Sequence, residues 1–542
     1  MKDEFWRNEK EGKYDVLIVD GYVDEPSLLG VPPYISPEPR LLAGIAEKHD
    51  YNWEYVTVDE YRINGLPRAE KILVHGGVTV PGTYLSAEPM DKEEAEKIAR
   101  APGETFLGGP LARYSKVDGY NHYSKKDLAA YFNDFIQEES RDRWSTPRER
   151  EEWLKKGAKV VQKHPMFPDP LIAETGMYRG CPRYFTGGCS FCSEPDYGKP
   201  VFREQEDIIG EIELLYDSGL RNFRLGGQSC TISYKGERIG KKEVPIPRPD
   251  EIEKLFSGIW DSCPDHKVLH LDNANPAVIS KYPLKSREIL ETLTRYTTAG
   301  NILALGIESA DLDVIEKNNL NARPEQVMKA VELINEIGRE KGRNGMPKLL
   351  PGINFLVGLK GETVETFEKN LRFLKKLRKK NLWIRRINIR QVLSRENEFE
   401  TKHVQEFREF KENVRREIDR PLLKEMFPLG TVLRDVYMEE REGEKTFGRQ
   451  VGTYPLLVGV DYQLKLGDYY NIAVTGYGYR SITGVQHPIK IKDATYKQLQ
   501  ALPNIGKKAA GKIFRKKPKD MRELEKILDS ADLDIEKYLS FE

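Results

Sequence analysis

Three of the chain's five cysteines fall within twelve consecutive residues, as Cys181-x7-Cys189-x2-Cys192. Thiolates are ligands for soft metals, and one short segment carrying three of them can present its sulfurs to a single centre. Gly180, Gly187 and Gly188 let the backbone wrap closely around an object held there. A structural zinc site takes four protein ligands, whereas three leave a metal position open to an outside ligand. The nearest histidine upstream, His164, is not at finger spacing. The alternative is three buried cysteines, or a zinc clip completed by a distant residue. Cys230 and Cys263 lie outside this segment and read first as core residues. Five sparse cysteines do not make a disulfide framework.

The length of 542 residues is enough for about three to four domains. The 86 Lys and Arg balance 86 Asp and Glu, which argues against whole-chain attraction to nucleic acid and leaves local patches open. No stretch approaches the ~18 consecutive apolar residues of a spanning helix, so no membrane span is expected. The start, Met1 to Arg7, has no apolar signal core, and a cytoplasmic protein is expected. Plentiful Tyr, Phe, Leu and Ile exclude bulk disorder. Charged residues at 32% and a mean hydropathy of −0.61 suit a heat-adapted source.

The expected fold class is α/β. Residues 1–136 alternate strands such as Tyr14–Asp20 with helices such as Glu38–His49, and glycine pairs follow at Gly76-Gly77 and Gly108-Gly109. This predicts a small Rossmann-like, doubly wound sheet. Residues 137–165 are dense in charge and read as a linker or solvated helix. Residues 166–395 alternate helical stretches with short apolar runs at 222–225, 268–271, 302–306, 352–357 and 383–389, a full or partial (βα) barrel. A helical connector, 396–425, leads to a Gly-, Val-, Thr- and Tyr-rich segment, 426–488, that predicts a small β-barrel. Residues 489–542 are helical and begin strongly basic.

The cysteine segment resembles the radical S-adenosylmethionine (SAM) superfamily, whose members hold a [4Fe-4S] cluster with three cysteines, usually spaced x3 then x2. The second gap matches, including the aromatic Phe191 before Cys192; the first, x7, is an enlarged loop. Leu225-Gly226-Gly227-Gln228 stands where the family carries a Gly-Gly-Glu-like turn that receives the methionine ammonium, with Gln228 in place of Glu. Leu305-Gly-Ile-Glu308-Ser309-Ala310 resembles the Gly-x-Glu-Ser segment that approaches the SAM ribose or carboxylate. Gly352 to Thr363 resembles a strand and turn of methylthiotransferases. The resemblance implies cluster ligands Cys181, Cys189 and Cys192, and SAM contacts from Phe191, Gly226, Gly227, Gln228, Glu308 and Ser309. An ordinary βα turn is the alternative for the Leu225–Gln228 segment, and a charged strand end for Leu305–Ala310. The implied chemistry is one-electron cleavage of SAM to a 5′-deoxyadenosyl radical, fed by an electron donor such as ferredoxin.

The N-terminal domain resembles the cobalamin-binding-like domain that precedes many radical SAM cores. Asp-x-His-x-x-Gly is absent, so cobalamin stands as a minority reading and a cofactor-free gating domain as the main one. In the proline-rich loop Gly30–Arg40, Tyr34 and Arg40 are candidate contacts for a substrate or anion; a rigid cap over the sheet edge carries equal weight.

Leu499 to Ile513 resembles a helix-hairpin-helix motif, with Asn504 at the first hairpin glycine's place, a residue that tolerates positive φ. Asn504, Gly506, Lys507, Lys508 and Lys512 are candidate phosphate contacts. From Ile491 to Lys519 there are nine Lys or Arg against one Asp, which favours nucleic acid over a protein-docking hairpin. The barrel-like segment distantly resembles the TRAM-type barrels of tRNA methylthiotransferases, a tyrosine-rich core being the alternative. Arg372 to Arg390 carries nine Lys or Arg and no acid, a solvated face or an extension of an RNA track.

These features resemble an archaeal group of radical SAM proteins with C-terminal helix-hairpin-helix domains. The implied function is a radical SAM enzyme that modifies a substrate, RNA and above all tRNA. With no cysteine before Cys181, a second, sulfur-donating cluster of the methylthiotransferase kind is not expected. The alternatives are a cobalamin-dependent methylase or carbon–carbon bond-forming enzyme on a lipid or small molecule, and a nucleic-acid-binding protein with a structural metal.

Overall fold

The computed structural model describes residues 13–23, 30–77, 87–392, 399–528 and 535–541. The chain divides into two compact units, one ending at Tyr296 and one beginning at Thr297. Among the described residues, no helix is long and apolar enough to cross a membrane.

The first unit opens with β1 (Tyr14–Gly21), β2 (Tyr34–Ile35), α1 (Pro37–Lys48), β3 (Trp53–Thr57), α2 (Val58–Asn64) and β4 (Ala69–Gly76). It continues through α3 (Lys92–Ile98), β5 (Glu104–Gly108), α4 (Pro110–Tyr114), β6 (His122–Tyr123), α5 (Leu128–Ile136) and α6 (Pro147–Lys156). Five strands form a parallel sheet in the order β3-β1-β4-β5-β6. Val16 to Val19 on β1 and Ile72 to Val74 on β4 are buried on both faces, as a parallel sheet covered by helices requires. The order reverses between β1 and β4, where α/β sheets open a ligand crevice at the carboxyl ends of the strands.

Residues 137–165, expected as a linker, are packed into this unit. Trp153 of α6 is fully buried. A Cβ on Gly44 of α1 would overlap the Trp153 carbonyl, and one on Gly157 would overlap the Arg40 carbonyl. The two glycines let the α1 and α6 backbones touch. Charge on the outer face of α6 hid an apolar inner face.

β7 (Ile172–Gly176), the short hairpin β8 (Tyr178–Arg179) and β9 (Val201–Phe202), α7 (Gln205–Asp217), β10 (Asn222–Gly226), α8 (Pro249–Ser262), β11 (Val268–Leu271), α9 (Pro276–Lys281) and α10 (Pro283–Tyr296) complete the unit. Its second sheet is parallel, in the order β11-β10-β7-β2. Thus β2, from the proline-rich loop, is the edge strand beside β7.

The second unit contains β12 (Asn301–Glu308), α11 (Leu312–Lys317), α12 (Pro324–Gly338), β13 (Leu349–Val357), α13 (Val364–Lys379) and β14 (Arg386–Gln391), with β12-β13-β14 a parallel sheet. The expected strand at 383–389 begins later, at Arg386. α14 (Val404–Val414), one π-helical turn over Arg415–Asp419 and α15 (Arg420–Met426) lead to a closed barrel. Its strands are β15 (Val432–Glu442), β16 (Lys445–Gln450), β17 (Leu457–Val460), β18 (Tyr469–Tyr477) and β19 (Ser481–Gln486), in the order β15-β16-β17-β19-β18. β20 (Ile489–Lys490), α16 (Tyr496–Gln500), α17 (Lys507–Lys516), α18 (Met521–Leu528) and β21 (Leu539–Ser540) follow.

Candidate active site

The cysteine loop leaves the carboxyl end of β7 and is hydrogen-bonded to the segment leaving β10. The Tyr178 hydroxyl donates to the Cys230 carbonyl at 2.7 Å and accepts from its N–H at 2.9 Å. The Ser229 hydroxyl donates to the Gly180 carbonyl at 3.1 Å. Gly226 and Gly176 are register partners at the strand ends. These bonds bring Cys181, Cys189, Cys192 and Phe191 to the same end of the sheet as Gly226, Gly227 and Gln228.

Within the loop, Gly187 and Gly188 adopt φ of 80° and 64°, the left-handed turn that only glycine takes freely. All three cysteines and Phe191 are half-buried. Burial pushes the Cys181 thiol up to about 11 and the Cys192 thiol well above its ordinary value, and the neighbouring cysteines and Glu194 push the same way. The thiols therefore lie within electrostatic reach of one another, in a place where thiolates need a strong positive partner. Two donors face them: the Arg183 N–H toward Cys181 Sγ at 3.5 Å, and Arg183 Nη1 toward Cys189 Sγ at 3.2 Å. Among the described residues, no three Cys, His, Asp or Glu side chains converge tightly enough for one metal ion. Three thiols on one loop suit an iron–sulfur cluster.

The Gln228 side chain is spent inside the fold. Its amide donates to the Leu225 carbonyl at 2.8 Å and to Thr231 Oγ1 at 3.2 Å, and its oxygen accepts from the Met177 N–H at 3.4 Å. A Cβ on Gly226 would lie 2.6 Å from Glu174 Cδ and 2.7 Å from Arg224 Nη1. Those two residues and Asp272 form a fully buried ion-pair chain beneath the turn.

Tyr34 and Arg40, expected as ligand contacts, are core residues. Tyr34 pairs with Ile172 in the sheet. Arg40 is fully buried, bonded to Glu211 Oε1 at 2.8 Å and to the Glu174 carbonyl. A buried guanidinium takes an internal carboxylate, and that carboxylate comes from α7, far along the chain.

The sequence reading missed a cavity in the first unit enclosing about 120 Å³. His75 at the end of β4, Gly109, Trp144, Arg179, Tyr197 and Gly227 line it. His75 is buried, neither ring nitrogen has a hydrogen-bond partner, and burial pushes its pKa down to about 4. Its imidazole is therefore neutral, with one donor and one acceptor at the cavity wall. Trp144 stands between Arg113 and Arg179, each 5.3 Å from its ring, and packs on Tyr197 at 4.4 Å. The sequence signal was His75 directly before Gly76-Gly77.

In the second unit, Glu308 ends β12 with φ of +60°, an uncommon backbone state for a non-glycine residue. Burial pushes its carboxyl up to about 8, with Arg390 pulling the other way. Ser309 is buried, and its hydroxyl accepts from the Asp311 N–H at 3.1 Å. α13 braces this turn: Asn370 accepts from the Ala310 N–H at 2.6 Å, and Thr366 donates to Asp311 at 2.8 Å. Further along, Asn504 adopts φ of +61°, and Gly506 caps α17 facing open space. Lys507, Lys508 and Lys512 are exposed on α17.

The model of the radical SAM superfamily matches residues 176–374. Uncharacterized protein MJ0274 of Methanocaldococcus jannaschii is 46% identical over 503 residues, covering 86% of this chain and 92% of that protein. The tRNA-2-methylthio-N(6)-dimethylallyladenosine synthase of Buchnera aphidicola is 25% identical over 226 residues, 41% of this chain and 46% of that protein. The radical SAM methyltransferase TsrM of Kitasatospora setae, solved with cobalamin and a [4Fe-4S] cluster, has a TM-score of 0.44 at 14% identity, covering 69% of this chain and 74% of that one. The matched domain, the near-full-length relative and a three-thiol loop at the strand ends lead to one conclusion: the chain is an enzyme of the radical SAM superfamily, with a [4Fe-4S] cluster and SAM as its cofactors.

Proposed function

We propose that Cys181, Cys189 and Cys192 would hold the [4Fe-4S] cluster, that SAM would bind beside it against the Gly226-Gly227 turn, and that the substrate is RNA, tRNA above all. Once bound and reduced by a donor such as ferredoxin, the cluster would supply the electron for reductive cleavage of SAM, and with it radical chemistry at the substrate. The observation that carries this reading is the three-thiol loop held against the Gly226-Gly227 turn by Tyr178 and Ser229.

The chain's own residues divide the remaining work. With the Gln228 side chain occupied, recognition of the methionine ammonium falls to backbone carbonyls of the Gly226-Gly227 turn. The Glu308 carboxyl, pushed up to about 8, is protonated at neutral pH and donates a hydrogen bond to the ribose or carboxylate of SAM instead of repelling it. His75 orients a polar substrate group at the cavity wall, and Trp144 with its two arginines keeps water out. Three features support RNA: the exposed lysines of a helix-hairpin-helix-like α16–α17, the TRAM-like barrel, and a distant relative whose name places it on tRNA.

A second reading is a cobalamin-dependent methylase or carbon–carbon bond-forming enzyme, with cobalamin above β4 near His75. The enclosed volume of about 120 Å³ is below the ~300–1,000 Å³ of ligand pockets.

The test is anaerobic reconstitution with iron and sulfide, reduction, and assay of 5′-deoxyadenosine from SAM with and without tRNA. The wild type is expected to form it and Cys192→Ala is not. A protein that takes up zinc and no iron would overturn the cluster assignment. Turnover that no RNA alters, in a protein that retains no RNA at low salt, would sink the substrate assignment.

A further inference from the structure

The second unit gathers guanidinium groups around one groove. The groove has a volume of about 290 Å³ and runs between the start of β14, α15 and the barrel strands β17 and β19. Arg385, Arg386 and Arg480 line it, and Asp419 is the acidic residue among its walls. Asp419 is already engaged, through its ion pair with Arg415 of the π-helical turn. Lys411 of α14 feels the positive field of Arg415 and Arg480. Arg385 and Arg480 thus face a groove whose carboxylate is already taken by Arg415.

Their internal contacts do not balance this charge. Arg385 donates to the Tyr454 carbonyl at 3.4 Å, and its Nε has no hydrogen-bond partner. Arg480 is exposed and forms no ion pair among the described residues. Burial pushes Arg385 down to about 9, with Arg386 and Arg480 adding to it. Tyr454, beside the groove, holds φ of +54° and carries the Arg386 guanidinium 4.2 Å over its ring. A bulky residue held in that backbone region stores strain, which folds retain where a site needs it.

We propose that this groove is a phosphate-binding site that grips the RNA backbone, with Arg385 and Arg480 as its two principal donors. Guanidinium forks match phosphate oxygens in pairs, which an ammonium does not. A phosphodiester supplies the missing negative charge, and its flanking groups fit a groove open at the surface. Arg386, stacked on Tyr454, fixes the wall. The assignment of the phosphate to RNA rests on the proposed function; the anion site itself rests on the arginines.

The full-length, cluster-loaded protein is compared with Arg480→Gln and with the Arg385→Gln/Arg480→Gln pair. Binding of fluorescent tRNA is followed by anisotropy across salt. Each lost phosphate contact is expected to flatten the slope of log K against log salt by about 0.9, and the pair to weaken binding about tenfold or more at low salt. Arg480 is exposed, so R480Q carries the test alone if the pair fails to fold. An unchanged slope in R480Q overturns the site while leaving RNA as the substrate. If the wild type binds no RNA, inorganic phosphate becomes the probe. A rise in melting temperature with phosphate that R480Q lacks keeps the site and removes RNA; no such rise overturns both.

Discussion

The guanidinium of Arg183 points at the sulfur of Cys189, Nη1 to Sγ 3.2 Å, while its carboxylate partner Glu243 lies on the other side at 3.4 Å. Hydrogen bonds to cluster sulfurs favour the reduced, more negative state. Arg183→Gln is expected to lower the cluster's midpoint potential by about 40–60 mV, the one-electron equivalent of ~1 kcal/mol. Iron content should stay at the wild-type level. An EPR-monitored redox titration reads both; an unchanged potential would remove Arg183 from the tuning of the site.

Glu211 is fully buried between Arg40 and Arg203, at 2.8 and 2.7 Å. Burial alone would raise its carboxyl, but the two arginines outweigh that and hold it below the usual range. A depressed carboxyl contributes fully above its unfolded value, near pH 4.3, and that contribution is lost as pH falls through the folded value. Glu211→Gln leaves two buried guanidinium groups short of charge and should cost about 3–5 kcal/mol. Urea unfolding at pH 7 is the measurement.

Two buried histidines give the first unit an acid limit. His75 is pushed down to about 4 and His164 to about 3, both by burial. The unfolded chain takes up protons near pH 6.5 while the folded one does not, so stability falls as pH drops below 6.5. At pH 5 the loss is about 2 kcal/mol for each histidine. His164 accepts the Met166 N–H on Nδ1, leaving the proton on an unpartnered Nε2. In His164→Phe, the drop in melting temperature between pH 7 and pH 5 should shrink by about half. Equal drops in both proteins would contradict this.

Gly226 sits where any side chain meets the buried Glu174–Arg224 pair. Gly226→Ala should cost about 1–3 kcal/mol by overpacking and abolish SAM binding, read by equilibrium dialysis. Retained SAM affinity in a folded variant would remove this turn from the cofactor site.

On α17, changing Lys507, Lys508 and Lys512 to Gln should weaken tRNA binding without altering the cluster spectrum, and flatten the salt slope by up to about 0.9 per residue. An unaltered slope would assign the hairpin to another partner.

What the sequence revealed depended on how local each signal was. Three thiols in twelve residues are readable because the ligands lie on one loop. The left-handed Asn504 was readable because its side chain tolerates that conformation. Arg40 was misread because its partner Glu211 lies on α7, remote in sequence, and only the fold brings the two together. The groove arginines come from β14, the π-helical turn and the barrel, so only folding brings them together. His75 shows its unpartnered ring only when the cavity is drawn around it.

The backbone contact between α1 and α6 also fixes an order of events at the ribosome. α1 cannot bury its Gly44 face until Trp153 has been made, and β2 waits longer still for its neighbour β7. Synthesis runs from the N-terminus, so the nascent first sheet emerges with an apolar helix face uncovered. A gene fragment stopped at residue 136 should give insoluble protein where one extended through the α1–α6 clasp and β7 does not.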